Sequence, residues 1–435
     1  MKTIAIKALA LGLLGATALS PAMAADKPDA VQIGITAFLS GPASVFGEPA
    51  KAAAEMMIED MNAAGGIGGV PIKAQFIDEG AGGEAVLSEY RRMVQDVKVD
   101  AMFASISSGN CNKVAPLAED LKVLNLMWDC GTQRIFEENS YRYVFRTQAH
   151  ATPEMLSTVL YLLKTKPDFK TIAVVNQDYS WGRDSWEIFS TALKAMKPDV
   201  EVVAEFFPKF GAPDFSTEIS RLQALRPDVI LSTSWGGDLD TFVRQASQRG
   251  LTNSSTLVLP LAESSLERLG NALPAGHIVG TRGDHYFLHP EKKDDPAFSD
   301  FVKKFKDETG AYPIYPVYHM AQALNALKGA YEKAMEANGG AWPDREMVVD
   351  AMKGLRFAGL GREVHIRDDG QGVEDQLVGT TVMVDGYDFP LLDNMMMFDG
   401  DEITTPVGEN SITWLGTLTP DFINGIEVEN FSHGS

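Results

Sequence analysis

Val31-Gln32-Ile33-Gly34-Ile35-Thr36, running on into Ala37-Phe38-Leu39-Ser40-Gly41-Pro42, alternates like a strand and then turns. The alanine-rich residues 49–64 that follow read as a helix, and Gly65-Gly66-Ile67-Gly68-Gly69 breaks it before a second strand over residues 70–77. The same alternation continues outward, with helix over 83–97, strand over 101–104, helix over 111–121 and strand over 123–128. Strands separated by helices in this order predict an α/β fold with a parallel sheet.

A second series begins after Tyr143-Val144-Phe145-Arg146. Helices are expected over 153–163, 182–196, 215–225 and 239–249, and strands over 171–176, 200–206, 229–232 and 257–261. Two doubly wound parallel-sheet lobes follow, with the chain crossing between them near Phe145 and near Ile278-Val279-Gly280. Further helices over 295–309, 316–334 and 344–352 precede strand-like segments through Phe398. The expected division is residues 28–145 with 280–360 in the first lobe, 146–279 with 361–398 in the second, and a loop-rich extension over 399–435. No internal sequence repeat accompanies the two lobes.

The chain starts with a secretory pattern. Lys2 and Lys7 precede and enter an apolar run, and Ala22-Met23-Ala24 offers the small residues a signal peptidase reads, so residues 1–24 are expected to be removed. That run is shorter than the roughly 20 residues needed to span a bilayer, which argues against a membrane-embedded protein. The net charge of -21 becomes -23 once the two lysines of residues 1–24 are gone. Such a surface repels nucleic acid and anionic lipid, and no Lys/Arg-rich block offsets it. Cys111 and Cys130 are the two cysteines, so in an oxidising compartment a single pairing is possible; two free buried thiols are the alternative. A bridge closing a loop of this size stabilises by about 3 kcal/mol in the chain-entropy account.

Three stretches together, Gly34-Ile35-Thr36-Ala37-Phe38-Leu39-Ser40-Gly41-Pro42, Asn62-Ala63-Ala64-Gly65-Gly66-Ile67-Gly68-Gly69 and Asn176-Gln177-Asp178-Tyr179-Ser180-Trp181-Gly182, carry a resemblance. In their order and spacing the chain resembles the leucine/isoleucine/valine-binding family of periplasmic solute-binding proteins. The resemblance implies a type I periplasmic binding fold with three hinge crossovers, a periplasmic location, and a small-molecule ligand delivered to the membrane permease of an ABC transporter.

In open α/β sheets ligands sit beyond the carboxyl ends of the strands. Ser107, Ser108, Gly109 and Asn110 stand there before a helix whose free N–H groups suit a carboxylate, or they are plain helix caps; the resemblance implies the ligand's acid group. The next such loop carries Asp129, Cys130, Gly131 and Thr132. Thr132 matches the hydroxyl that the resemblance implies, whereas Asp129 and Cys130 depart from the family's usual small residues. Aromatics recur at strand ends: Phe46, Trp128, Tyr179, Trp181, Trp235 and Tyr286. They would make flat apolar walls with polar tips or belong to the core, and the resemblance favours Phe46, Trp181 and Trp235 for the ligand. Asp129, Asp178, Glu263 and Asp284 could each receive an ammonium group, and the resemblance points to Glu263.

No nucleophile elbow, phosphate loop, zinc spacing or His-Glu-x-x-His helix is present, so neither an enzyme nor a cofactor is expected. His285 and His289 would share a face on a helix, but residues 284–290 read as a strand running into a turn, and no metal site is assigned there. The expected activity is capture of a small amphipathic solute, namely an amino acid, an amide or an aromatic acid, by hinge closure. A periplasmic sensing subunit that presents its closed state to a membrane receptor is the alternative.

Overall fold

The computed structural model describes residues 27–433. The expected leader lies outside them. The first sheet has the order β2-β1-β3-β4-β5, all parallel, from β1 (Val31–Ala37), β2 (Ile72–Asp78), β3 (Ala101–Phe103), β4 (Leu124–Met127) and β5 (Val144–Arg146). The helices between them are α1 (Ser44–Ala63), α2 (Gly83–Arg92), α3 (Ser108–Leu121) and the single turn α4 (Arg134–Glu137). α1 buries Phe46, Ala50, Ala53, Ala54 and Ile58, small enough on that face for close packing of a neighbouring helix. Gly66 makes the turn into β2 possible: its φ is +68, and a Cβ there would fall 2.1 Å from the Val70 carbonyl oxygen.

The second sheet runs β16-β15-β14-β10-β9-β8-β6-β7. Its parallel part comprises β6 (Thr171–Val175), β7 (Glu201–Phe206), β8 (Val229–Leu231), β9 (Thr256–Leu259) and β10 (Ile278–Gly280). These strands alternate with α5 (Ala151–Thr165), α6 (Ser180–Met196), α7 (Ser216–Leu225), α8 (Gly236–Gln248) and the short α9 (Leu266–Leu269). The near-continuous burial of β6, β8 and β9 is what helices on both sheet faces produce. After β10 the chain returns to the first lobe as α10 (Pro296–Thr309), α11 (Tyr315–Ala337) and α12 (Arg345–Ala351), with α10 and α11 packed on α1.

Two features depart from the sequence expectation. β11 (Arg356–Ala358), β12 (Glu363–Ile366) and β13 (Gly372–Val373) form a separate antiparallel sheet, so the third crossing falls at Glu374 and Asp375, beyond the 360/361 boundary. From there β14 (Gln376–Val382), β15 (Leu391–Phe398) and β16 (Val428–Phe431) add an antiparallel edge to the second sheet. The tail read as loop-rich thus supplies β16 together with α13 (Gly400–Ile403), α14 (Ser411–Leu415) and α15 (Pro420–Gly425), the last two packed on α6. Among the described residues no helix is long and apolar enough to cross a membrane.

Candidate functional site

The loops beyond the carboxyl ends of the two sheets face each other and are closed. From the first lobe, Thr132 Oγ1 donates to Asp184 Oδ2 on α6 at 2.9 Å, and Arg134 Nε donates to Asp184 Oδ1 at 2.9 Å. On the other side of the cleft Gly237 N donates to the Pro42 carbonyl at 3.1 Å. Between these contacts lies a pocket bordered by Phe46, Ile106, Ser108, Asp129 and Gly131 from the first lobe and by Tyr179, Trp181, Trp235 and Leu261 opposite, with Arg282 at the crossing beside Asp129. Its free volume is about 10 Å³, room for a single water, so the lobes must part to admit an organic solute.

The aromatic wall is internally finished. Trp181 Nε1 donates to the Thr233 carbonyl at 2.8 Å and Trp235 Nε1 to Tyr179 Oη at 2.6 Å, so the rings offer faces while their polar tips are spent on the protein. Phe46 packs against Trp235 with ring centroids 5.1 Å apart. Trp128 and Tyr286 are buried in the two lobes' cores instead, with Trp128 Nε1 bonded to the Thr36 carbonyl and Tyr286 Oη to Leu392 N.

The charged wall is different. Arg282, just past β10 at the second crossing, bonds Asp129 Oδ1 through Nη1 and Glu154 Oε1 through Nε, each at 3.1 Å. Its guanidinium also stands 5.2 Å from the Trp181 ring and 5.1 Å from the Tyr315 ring. Arg282 Nη2, Asp129 Oδ2 and Glu154 Oε2 are buried with no protein partner. Burial pushes Asp129 up to about 7 against the pull of Arg282, and it pushes Glu154 up to about 7 in the same way. Burial also works against the charge of Arg282, but Glu154 and Asp129 outweigh it and keep the guanidinium protonated. His319 on α11 meets Asp129 Oδ1 through Nδ1 and the Arg282 carbonyl through Nε2, and burial holds its pKa well below the usual imidazole value.

Several residues expected at the ligand are otherwise engaged. The loop leading into α3 already holds a carboxylate: Glu79 accepts from Ile106 N, Ser107 N and Asn110 Nδ2 at 2.8, 3.3 and 2.9 Å, and from Thr36 Oγ1 at 2.7 Å. Of Ser107, Ser108, Gly109 and Asn110, Ser108 alone borders the pocket. Thr132 belongs to the interlobe clamp. Glu263 accepts from Tyr315 N at 2.8 Å, capping α11, and burial raises its carboxyl well above the usual range. Asp284 faces away, bonded to His289 Nε2 at 3.2 Å and to Arg362 N; burial opposes its charge, but these partners hold it down at about 2. Asp178 is paired with Arg183 at the surface. Cys130 is joined to Cys111 in a disulfide with a Cα–Cα distance of 6.3 Å, fastening the Asp129–Thr132 loop to the first turn of α3.

The segment 284–290 is a loop and not a strand, and His285 and His289 do not converge on one ion. His285, His319 and Glu374 do approach, with ligating atoms within 4.8 Å of one another. Two of the three are already engaged by the protein. Glu374 accepts from Ala149 N at 3.0 Å and Gln322 Nε2 at 2.6 Å, His319 uses both nitrogens as described, and His285 Nδ1 is buried without a hydrogen-bond partner. Since Ala149, Arg282 and Glu374 stand on the three crossings, this cluster ties the hinge strands together. Arg282, Glu154, His319 and Tyr315 are the site residues that sequence reasoning missed; a cation two residues beyond a buried strand end was the signal available for Arg282.

Residues 30–383 match the family described as periplasmic binding protein. The Leu/Ile/Val/Thr-binding protein of Salmonella typhimurium is 25% identical over 317 residues, 72% of this chain and 83% of that one. Leu/Ile/Val-binding protein homolog 7 of Brucella abortus is 27% identical over 314 residues, 67% of this chain and 75% of its own length. The fold is shared with a solute-binding protein of an ABC transporter from Rhodopseudomonas palustris BisB5 in complex with 3,4-dihydroxybenzoic acid, at a TM-score of 0.74 and 21% identity, over 87% of this chain and 99% of that one. It is shared also with a leucine-binding protein from Thermotoga maritima, at a TM-score of 0.69 and 19% identity, over 84% of this chain and 98% of the other. With the match running through both walls of the cleft, the chain belongs to the periplasmic binding protein family: it is a non-enzymatic solute-binding protein of the periplasm, built on the fold with which ABC transporters capture a small ligand for a membrane permease.

Proposed function

We propose that the cleft takes an α-amino acid with an apolar or aromatic side chain and that the closed complex delivers it to the permease of an ABC importer. The observation that carries this reading is the pair of opposite charges at one wall, Asp129 Oδ2 and Arg282 Nη2, both buried and both without a protein partner. One guanidinium serves two carboxylates there, and His319 is held neutral. An ammonium group on Asp129 adds a second cation to the cluster, while a ligand carboxylate meets Arg282 and Ser108; a bare anion would be the third negative group around one cation. Phe46, Tyr179, Trp181 and Trp235 provide the apolar surface for the side chain. Relatives named for leucine, isoleucine, valine and threonine point the same way. Solute bridging both lobes shifts the population from open to closed, and transport is favoured over sensing by the kinship with ABC solute-binding proteins.

The test starts with protein purified from the periplasm, whose solute is released by denaturation and identified by mass spectrometry. Calorimetry then compares the amino acid with its deaminated analogue. The expected result is a preference of about tenfold or more for the amino acid, lost in Asp129→Asn. Tight binding of an aromatic carboxylate that ignores Asp129→Asn would overturn the reading.

A further inference from the structure

A cavity of about 470 Å³ lies outside the cleft, where α10 of the first lobe faces β15 of the second. That is the size of a small-molecule site. Its floor is apolar: Phe287 and Tyr312 stack with centroids 4.0 Å apart, and Phe298, Val302 and Met395 continue the surface. Its rim is basic, with Lys292, Lys293, Lys303 and Lys306. This is unexpected in a chain with 59 acidic and 38 basic residues. Lys303 pairs with Asp307, and Lys292 stands 3.7 Å from Asp295. Among the described residues no carboxylate pairs with Lys293 or Lys306, and Lys306 Nζ sits 3.2 Å from the Tyr312 ring centroid, over the aromatic floor.

An apolar floor beside two cations without counter-ions matches a ligand with an apolar body and one negative head. We propose that this groove is a second binding site, for an amphipathic organic carboxylate whose ring or chain lies against Phe298, Val302 and Met395 while its head sits between Lys293 and Lys306. A neutral amphiphile would gain the floor but not the rim, and a cationic one would meet repulsion. Because the walls come from both lobes, occupancy is linked to their relative position and therefore, reciprocally, to solute affinity in the cleft.

The probe is 1-naphthoate, titrated by calorimetry against the full mature protein, with its methyl ester and 1-naphthylmethylammonium as neutral and cationic controls. The expected result is saturable binding of the carboxylate, weaker by about tenfold or more in Lys293→Glu/Lys306→Glu and abolished by Val302→Trp, which fills the groove. Ser108→Trp, which obstructs the cleft and holds the lobes further apart, should shift the affinity of that binding without abolishing it. Equal binding of all three probes, or binding that survives both groove variants and is lost in Ser108→Trp, would overturn the proposal, as would failure of naphthoate to bind. Should Val302→Trp fold poorly, the double lysine variant carries the decision alone.

Discussion

The two walls of the cleft are built to different standards. On the second-lobe wall both indole N–H groups have a protein partner, Trp181 on Thr233 and Trp235 on Tyr179, so the wall is rigid and complete before a solute arrives. On the opposite side Asp129, with Arg282 and Glu154 at the hinge, is buried with one polar atom of each unsatisfied. A finished apolar face supplies affinity without much discrimination, whereas an unfinished charged face makes binding conditional on a matching head group. Selectivity should therefore reside in the charged wall and closure in the fit of the aromatic one, and substitutions can separate the two.

The largest effect should come from the charged wall. Arg282→Met leaves Asp129 and Glu154 buried without their cation, and breaking a buried ion network in this way costs about 3–5 kcal/mol of stability. Denaturant unfolding should show the loss as greater at pH 8 than at pH 5, since both carboxyls, pushed up to about 7 even beside Arg282, can take protons at the lower pH. An equal loss at both pH values would show that packing, not charge, is what Arg282 provides.

The aromatic wall should respond through geometry. A Cβ on Gly131 would fall 2.3 Å from Trp181 Cζ3, and the indole is held by Thr233 and by Arg282 above it. Gly131→Ala should therefore keep the lobes from closing fully and cost about 1–3 kcal/mol in solute binding, as overpacking does elsewhere. Stability should be nearly unchanged, because residue 131 meets Trp181 across the cleft. Scattering from the solute-saturated variant should report a larger radius of gyration than the parent, and an unchanged affinity would show that Trp181 yields.

Proton linkage gives a smaller effect. With Asp129 held up at about 7 by burial in the closed, empty cleft, an ammonium ligand favours the carboxylate and lowers that pKa. Binding must then expel a proton wherever the free carboxyl is protonated. Affinity should be flat above about pH 7 and fall by up to tenfold, about 1.4 kcal/mol, per pH unit below it. Titrations in buffers of different ionisation enthalpy would count the proton released near pH 6; none released would mean that Asp129 does not meet the ammonium.

Much of this architecture is legible in the sequence because strands buried on both faces are apolar runs bracketed by Gly and Pro, as at Val31–Ala37 and Thr171–Val175. Topology then places Phe46, Ser108, Asp129, Tyr179, Trp181 and Trp235 at strand ends, but it places Trp128 and Tyr286 there too, and it is the family resemblance that favours Phe46, Trp181 and Trp235 among these aromatics. Glu154, Tyr315 and His319 are not legible in either way, since they stand on α5 and α11, whose buried faces read as ordinary helix core. Nor does a strand-end position reveal a partner from a distant segment. Glu79 reaches the loop leading into α3 from the loop after β2, and Asp184 takes the Thr132 hydroxyl from α6.

Glu263 poses the sharpest contrast with Asp129, because both are buried acids at strand ends: family resemblance favours Glu263 for the ammonium, whereas the unpartnered oxygen beside Arg282 favours Asp129. Burial raises Glu263 well above the usual carboxylate range, and among the described residues no cation bonds it; what it does is accept from Tyr315 N. A neutral carboxyl in that role is matched by a glutamine, whose carbonyl oxygen can accept the same bond and whose amide replaces the hydroxyl donor. Glu263→Gln should therefore change stability by less than about 0.5 kcal/mol and leave the preference for an amino acid over its deaminated analogue intact. Asp129→Asn, an equally small change in shape, should erase that preference. If calorimetry shows the reverse, the ammonium is read on the second lobe, and the unsatisfied oxygen of Asp129 serves the hinge instead of the solute.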